Sequence, residues 1–155
     1  MKNLAEMIQF KWYRFSQLSS IQLYQLLMLR SEVFVVEQQS LYLDPDGQDH
    51  LALHLLGEKD NIVAAYMRLF PPTNQEKVIF FGRIVISKIE RKNGYGKKLM
   101  QELLRYCNAH YPDVKIKCYA QAYLQKFYEN FGFEAMGKLF EEDGIPHVLM
   151  KKCMT

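Results

Sequence analysis

Cysteine is scarce in this chain, and Cys107, Cys118 and Cys153 are odd in number and stand at no paired metal-ligand spacing. That leaves neither a metal site nor a disulfide framework to read. No stretch approaches the roughly 18 consecutive apolar residues of a membrane span. The N-terminus lacks a basic segment followed by an apolar run and a cleavage site. A reduced, cytoplasmic protein that does not enter a membrane is the expectation. Charge of one sign is not in excess either: the net charge of +3 allows mild attraction of an anionic ligand but supplies no concentrated basic face for nucleic acid. Low-complexity stretches, linkers and internal repeats are also missing, so residues 1–155 read as one domain.

Apolar material is plentiful. Hydrophobic residues make up 49% of the 155, with ten Phe and ten Tyr, which excludes a disordered or fibrous chain. A chain of this length buries about two-thirds of its unfolded surface. Cys107 and Cys118 fall in apolar patterns and read as small core residues.

Periodicity gives the elements. Residues 8–15 alternate as an opening strand. Ser19 or Ser20 can cap a helix over residues 21–38, whose wetter members are Gln22, Gln25, Arg30 and Glu37. Residues 41–49, with Pro45 and Gly47, read as a loop. Strands over 51–56 and 62–70 form a hairpin joined by the turn Glu58-Lys59-Asp60-Asn61, and a third strand covers 78–87. A helix over 97–111 carries an apolar face of Leu99, Met100, Leu103, Leu104 and Cys107. A strand over 114–119, a short helix over 123–131 ending at Gly132, and a strand pair over 133–140 and 147–152 complete the chain. The order β-α-β-β-β-α-β-α-β-β implies an α/β arrangement on one mixed sheet.

The segment Arg91-Lys92-Asn93-Gly94-Tyr95-Gly96 lies between the third strand and the long helix. Glycines free the backbone to turn, and a turn opening a helix gathers unpaired amides and the positive dipole end into an anion site suited to pyrophosphate. It is not a Walker loop, since no Gly-Lys-Ser/Thr follows at the needed spacing. A Rossmann fingerprint would want a third glycine where Leu99 stands. Asp44, Asp46 and Asp49 invite a calcium loop, but counting from Asp44 puts glycine at position 4 and Leu55 at position 12, and the metal reading fails.

The spacing Arg-x-x-Gly-x-Gly after a strand resembles the acetyl-CoA-binding turn of the GNAT N-acetyltransferases. Downstream, Phe127-Tyr128 followed by Gly132-Phe133 resembles a second segment of that superfamily. Leu29-Arg30-Ser31-Glu32-Val33-Phe34, Asp46-Gly47, Ala52-Leu53-His54 and Glu142-Asp143-Gly144-Ile145-Pro146-His147 narrow the resemblance to the ElaA-like acyltransferases over nearly the whole chain. The resemblance implies a GNAT-type mixed sheet of six to seven strands flanked by helices. It also implies transfer of an acetyl group from acetyl-CoA to a small-molecule or peptide amine in a ternary complex. The backbones of Ile84, Val85 and Ile86 would then pair with the pantetheine arm. Amides of Arg91, Lys92, Asn93, Gly94, Tyr95 and Gly96, with Lys97, would cradle the pyrophosphate. Lys92 stands where the family often has glycine, harmless if its backbone is ordinary. Gln121 stands where many relatives carry an asparagine near the cofactor, and Tyr128 would protonate the departing thiolate.

Base and acceptor residues are less specified. Glu37 and His147 are the candidate bases, with Glu32 and His54 weighed beside them; His54, Glu142 and Asp143 are candidate acceptor contacts. A lone histidine on an alternating strand, as His54 is, is more often a satisfied half-buried side chain. Asp44 and Asp46 read as a turn that could help attract a cationic amine. A CoA-binding sensor without turnover is the rival reading, and the abundance of aromatics leaves room for a homodimer.

Overall fold

In the computed structural model, which describes residues 7–153, the alternating N-terminal segment forms strand β1 (Gln9–Arg14). Helix α1 (Ser20–Arg30) starts at a capping box: the Ser19 hydroxyl accepts from the Gln22 amide at 3.1 Å, and Gln22 Oε1 accepts from the Ser19 amide at 2.9 Å. Such a cap is worth about 1 kcal/mol. The α-helical pattern was expected to run to residue 38 but ends at Arg30. Ser31–Glu37 winds instead as a wider π-helical turn, after which Gln39 adopts φ +53° and the chain turns away.

Strands β2 (Leu53–Lys59) and β3 (Ile62–Phe70) form the expected hairpin. Asp60 and Asn61 both have positive φ, as a two-residue type I′ loop requires. β2 begins two residues later than the alternation suggested, because Asp49–Leu51 makes a tight helical turn. Then follow β4 (Val78–Ile86), α2 (Tyr95–His110), β5 (Lys115–Gln121), α3 (Gln125–Glu129), β6 (Glu134–Glu142) and β7 (Ile145–Lys152). Gly132 has φ +87° and ends the α3 region as expected of a C′ glycine. Asp143 and Gly144, both left-handed, turn β6 into β7.

The seven strands make one sheet in the order β1-β2-β3-β4-β5-β7-β6. Every neighbouring pair is antiparallel except β4 and β5, which are parallel. On one face α2 buries Leu99, Met100, Leu103 and Cys107 against Leu55, Met67, Ile79, Ile116 and Met150. On the other, α1 buries Leu26 and Leu29 against Leu56, Tyr66 and Val85. Each fully buried side chain of this kind contributes about 1.5–3 kcal/mol. Among the described residues no helix is long and apolar enough to cross a membrane.

Candidate functional site

Strands β4 and β5 pair only at Val78–Lys115, Ile79–Ile116 and Phe80–Lys117. Beyond Phe80 they part: β4 stays with β3 as far as Ile86, while β5 stays with β7 as far as Gln121. The β5-facing edge of β4 therefore lacks a strand partner over the stretch holding Ile84, Val85 and Ile86. A bulge sharpens the divergence. Between the pairs Arg68–Gly82 and Tyr66–Val85, β4 carries one residue more than β3, and Arg83 takes φ +52°. Bulges of this kind bend a strand and increase its twist.

The parted edge leads into the glycine turn. Arg91 is extended, Lys92 has φ +68°, and Gly94, at φ +77°, is the N-cap of the 16-residue helix α2. A glycine cap offers no side-chain acceptor, and this helix start has no side-chain capping hydrogen bond. The first amides of α2 thus point outward with the dipole behind them, a suitable anion seat. A Cβ added at Gly96 would meet Ile86 Cδ1 at 3.4 Å and the Phe127 ring at 3.6 Å, ordinary contact distances that place this start of α2 against the end of β4 and α3. Lys92 does not sit in an ordinary backbone region. Its left-handed φ costs about 1–2 kcal/mol for a residue with a Cβ.

Four expected residues, Glu37, Arg91, Gln121 and His147, come together around the open end of the parted strands. Arg91 grips Glu37 through Nη1 at 2.5 Å and Nη2 at 2.8 Å, tying the π-helical turn to the glycine turn. Arg91's hydrogen bonds hold the Glu37 carboxyl below the usual carboxylate range, which makes it a weak base. Gln121 at the end of β5 donates to Gln38 Oε1 at 3.3 Å. Across the sheet Gln121 pairs with His147 of β7. His147 Nδ1 lies 2.7 Å from the Ile145 carbonyl; a carbonyl only accepts, so Nδ1 carries a hydrogen, and in the neutral ring Nε2 is then the acceptor. Glu142 Oε2 is 4.0 Å from that Nε2.

Tyr128, on α3, is buried beside Phe81 of β4 and Phe133, with ring centroids 6.1 and 6.3 Å away. Burial pushes its phenol well above the ordinary value, with Cys118 and Tyr123 adding to the effect. It stays protonated and able to donate. Phe81 follows directly on the last paired position of β4, so the phenol stands beside the point where the strands separate.

His54 presents no surface from which to meet a substrate. It is fully buried, with Nδ1 accepting from the Tyr66 hydroxyl at 2.6 Å and Nε2 donating to the Asp49 carbonyl at 2.8 Å. Burial drives its pKa below the ordinary value. Asp44 and Asp46 do not attract an amine either, because arginines neutralise them. Arg30 Nε donates to Asp44 at 2.7 Å and its Nη1 to Asp49 at 2.8 Å. Arg68 holds Asp46 at 2.8 Å and Asp49 at 3.0 Å, and Arg83 Nε lies 3.0 Å from Asp44. Burial alone would raise the Asp46 carboxyl, but the Arg68 hydrogen bond, the Gln48 amide and the charge of Arg83 outweigh it and hold it at about 2. Arg30, expected among the wetter residues, has no exposed surface. This network, which pins residues 44–49 against the sheet, had no local signal, because its arginines come from α1, β3 and β4. Glu142 and Asp143 sit on the exposed β6–β7 turn. Among the described residues no three His, Cys, Asp or Glu side chains form a group that could hold a metal ion.

Residues 23–154 match the acetyltransferase (GNAT) domain family. The chain is 40% identical over 148 residues to Protein ElaA of Escherichia coli K12, covering 94% of this chain and 97% of that protein. It is 39% identical over 144 residues to a UPF0039 protein of Synechocystis, covering 92% and 94%. The crystal structure of E. coli ElaA superposes with a TM-score of 0.87 over 94% of this chain and 99% of that one. An acyl-CoA N-acyltransferase from Pseudomonas aeruginosa, 36% identical, superposes at 0.89 with the same coverage.

Proposed function

The chain belongs to the GNAT acetyltransferase family, and from that premise we propose that it moves an acetyl group from acetyl-CoA to an amine by direct attack within a ternary complex. The observation that carries this reading is the continuity of the parted β4 edge with the uncapped start of α2. An extended amide-bearing arm ending in a diphosphate fits both halves: strand-like pairing along residues 84–86, then anion binding at residues 91–97. The acetyl end of such a donor would lie near Phe81, where the strands separate and Tyr128 stands.

This chain's residues then divide the chemistry. The amine nitrogen attacks the thioester carbon, and its proton passes to Nε2 of His147, directly or through one water. His147 suits that role better than Glu37, since Nδ1 is committed to Ile145 and Glu142 stands near the nitrogen that gains charge. As the carbon–sulfur bond breaks, the Tyr128 hydroxyl hydrogen-bonds the departing thiolate and passes it a proton, and Tyr128 regains a proton from solvent, where His147 releases the one taken from the amine. Gln121 orients the acceptor edge of the cleft through Gln38. Glu142 and Asp143 favour a cationic acceptor by long-range attraction. The reading is of a cytoplasmic enzyme, consistent with three free thiols at Cys107, Cys118 and Cys153.

Release of free thiol from acetyl-CoA, followed over a panel of primary amines, tests the reaction. Amine-dependent release supports it. Acetyl-CoA binding without release from any amine would leave a CoA-binding module in its place.

A further inference from the structure

Helix α1 covers only part of its face of the sheet. In β5 and β7, Ile116, Cys118, Ala120, Val148 and Met150 point into the α2 side of the core; strand alternation therefore turns Tyr119, Gln121 and His147 to the opposite face. There Tyr119 is 55% exposed and Phe140 38%. These side chains form a row. Phe80 stacks on Tyr119 with centroids 5.7 Å apart and planes at 18°. Tyr119 meets the edge of Phe140 at 5.8 Å, and Phe140 stacks on His147 at 5.9 Å.

Both ends of this row coincide with the proposed chemistry. Phe80 is the last residue of β4 paired with β5, so the row begins where the strands part. It ends at His147. Beside that end the β6–β7 turn carries the exposed Glu141, Glu142 and Asp143, none of which pairs with a Lys or Arg among the described residues; Glu142 Oε2 lies 4.0 Å from His147 Nε2. Lys117 and Lys151 oppose each other across β5 and β7 and bound the other side. A ring laid on Tyr119 and Phe140 would bury exposed aromatic surface that contributes nothing to the core, while an ammonium on a short arm would be drawn toward the acidic turn.

Resting on the acyltransferase reading above, we infer that the acceptor is a small arylalkylamine whose ring packs on the Phe80–Tyr119–Phe140 row. Transfer forms the N–C bond of an amide on that amine, releases CoA as free thiol and passes the ammonium proton to solvent through His147.

The test compares 2-phenylethylamine, n-hexylamine and a peptide beginning with Phe as acceptors, by acetyl-CoA thiol release in the parent and in Tyr119→Leu and Phe140→Leu. Both positions are exposed, and acetyl-CoA binding measured in parallel reports that the variants are folded. The expected result is a preference for phenylethylamine in kcat/KM. Its ratio to hexylamine should fall about five- to tenfold in each variant, the size of one aromatic contact. Equal use of both amines, a ratio that ignores both substitutions, or activity confined to the peptide would overturn the inference and leave the acyltransferase reading standing. Failure of the parent to bind acetyl-CoA would remove both.

Discussion

Glu37 and Arg91 lie 54 residues apart in sequence and form a two-point ion pair across the open end of the parted strands, at 2.5 and 2.8 Å. Each side chain is 36% exposed, so solvent screens the pair and its share of global stability is about 1 kcal/mol or less. Its consequence is positional: it fixes the π-helical turn against the residues proposed to hold the diphosphate. Glu37→Gln should therefore raise the KM for acetyl-CoA a few-fold and leave kcat near that of the parent. His147→Gln should instead lower kcat by about 100-fold or more, the usual contribution of a positioned base. Steady-state kinetics on the two variants separates the roles, and a kcat collapse in Glu37→Gln would reverse the assignment.

Tyr128→Phe keeps the ring contacts with Phe81 and Phe133 and removes only the hydroxyl. It should lower kcat much more than it weakens acetyl-CoA binding. Equal loss in both would show that the phenol serves packing alone.

Arg30 is buried with Asp44, whose side chain is 1% exposed. Arg30→Met removes the buried partner of that carboxylate and leaves it to Arg83 and the Tyr42 hydroxyl, and should cost about 1.5–3 kcal/mol, as loss of a charged hydrogen bond does. Denaturant unfolding measures it. Adding Asp44→Asn should recover part of the loss, and a cost below about 1 kcal/mol in the single variant would show that the network is not a stability element.

Acid should weaken the fold in two windows. His54 has a folded pKa below its ordinary 6.5, so as pH falls below that value the unfolded chain takes up a proton that the buried ring refuses, and stability declines. Above it this contribution is level. Asp46, at about 2 against an ordinary 3.8, contributes stability above 3.8 that is lost as pH falls toward 2. Thermal melts between pH 8 and 3 should show a first decline below 6.5 that becomes shallower in His54→Gln. An unchanged slope in that variant would assign the decline to other groups.

Local chemistry was legible and long-range chemistry was not. Gly94 and Gly132 announce their turns because left-handed backbone selects glycine, and the segments 58–61 and 141–146 read as turns although the structure alone narrows them to Asp60-Asn61 and Asp143-Gly144. The order of strands and helices follows from such punctuation. Arg30 was misread because helical spacing groups it with Gln22 and Gln25; only the approach of Asp44 and Asp49 in three dimensions makes its burial tolerable. His54 likewise sits on a readable strand, but its partners Tyr66 and Asp49 are set by the hairpin and the following turn. The π-helical turn at Ser31–Glu37 has no breaker residue to mark it. Lys92 is the converse case, a residue with a Cβ in a conformation that suits glycine. The aromatic row draws on residues 80, 119, 140 and 147, which no window of sequence brings together.

The central claim is that the start of α2 holds the diphosphate of acetyl-CoA. Calorimetric titration of the parent beside Gly94→Asp tests it most directly. The substitution sets a carboxylate where an anion should bind and a Cβ on a residue at φ +77°; open space around the site spares the packing, and a matching melt for Gly94→Asn controls for backbone strain. The account predicts saturable acetyl-CoA binding by the parent and by Gly94→Asn, and its loss in Gly94→Asp. Absence of binding by the parent, or equal binding by Gly94→Asp, would contradict it.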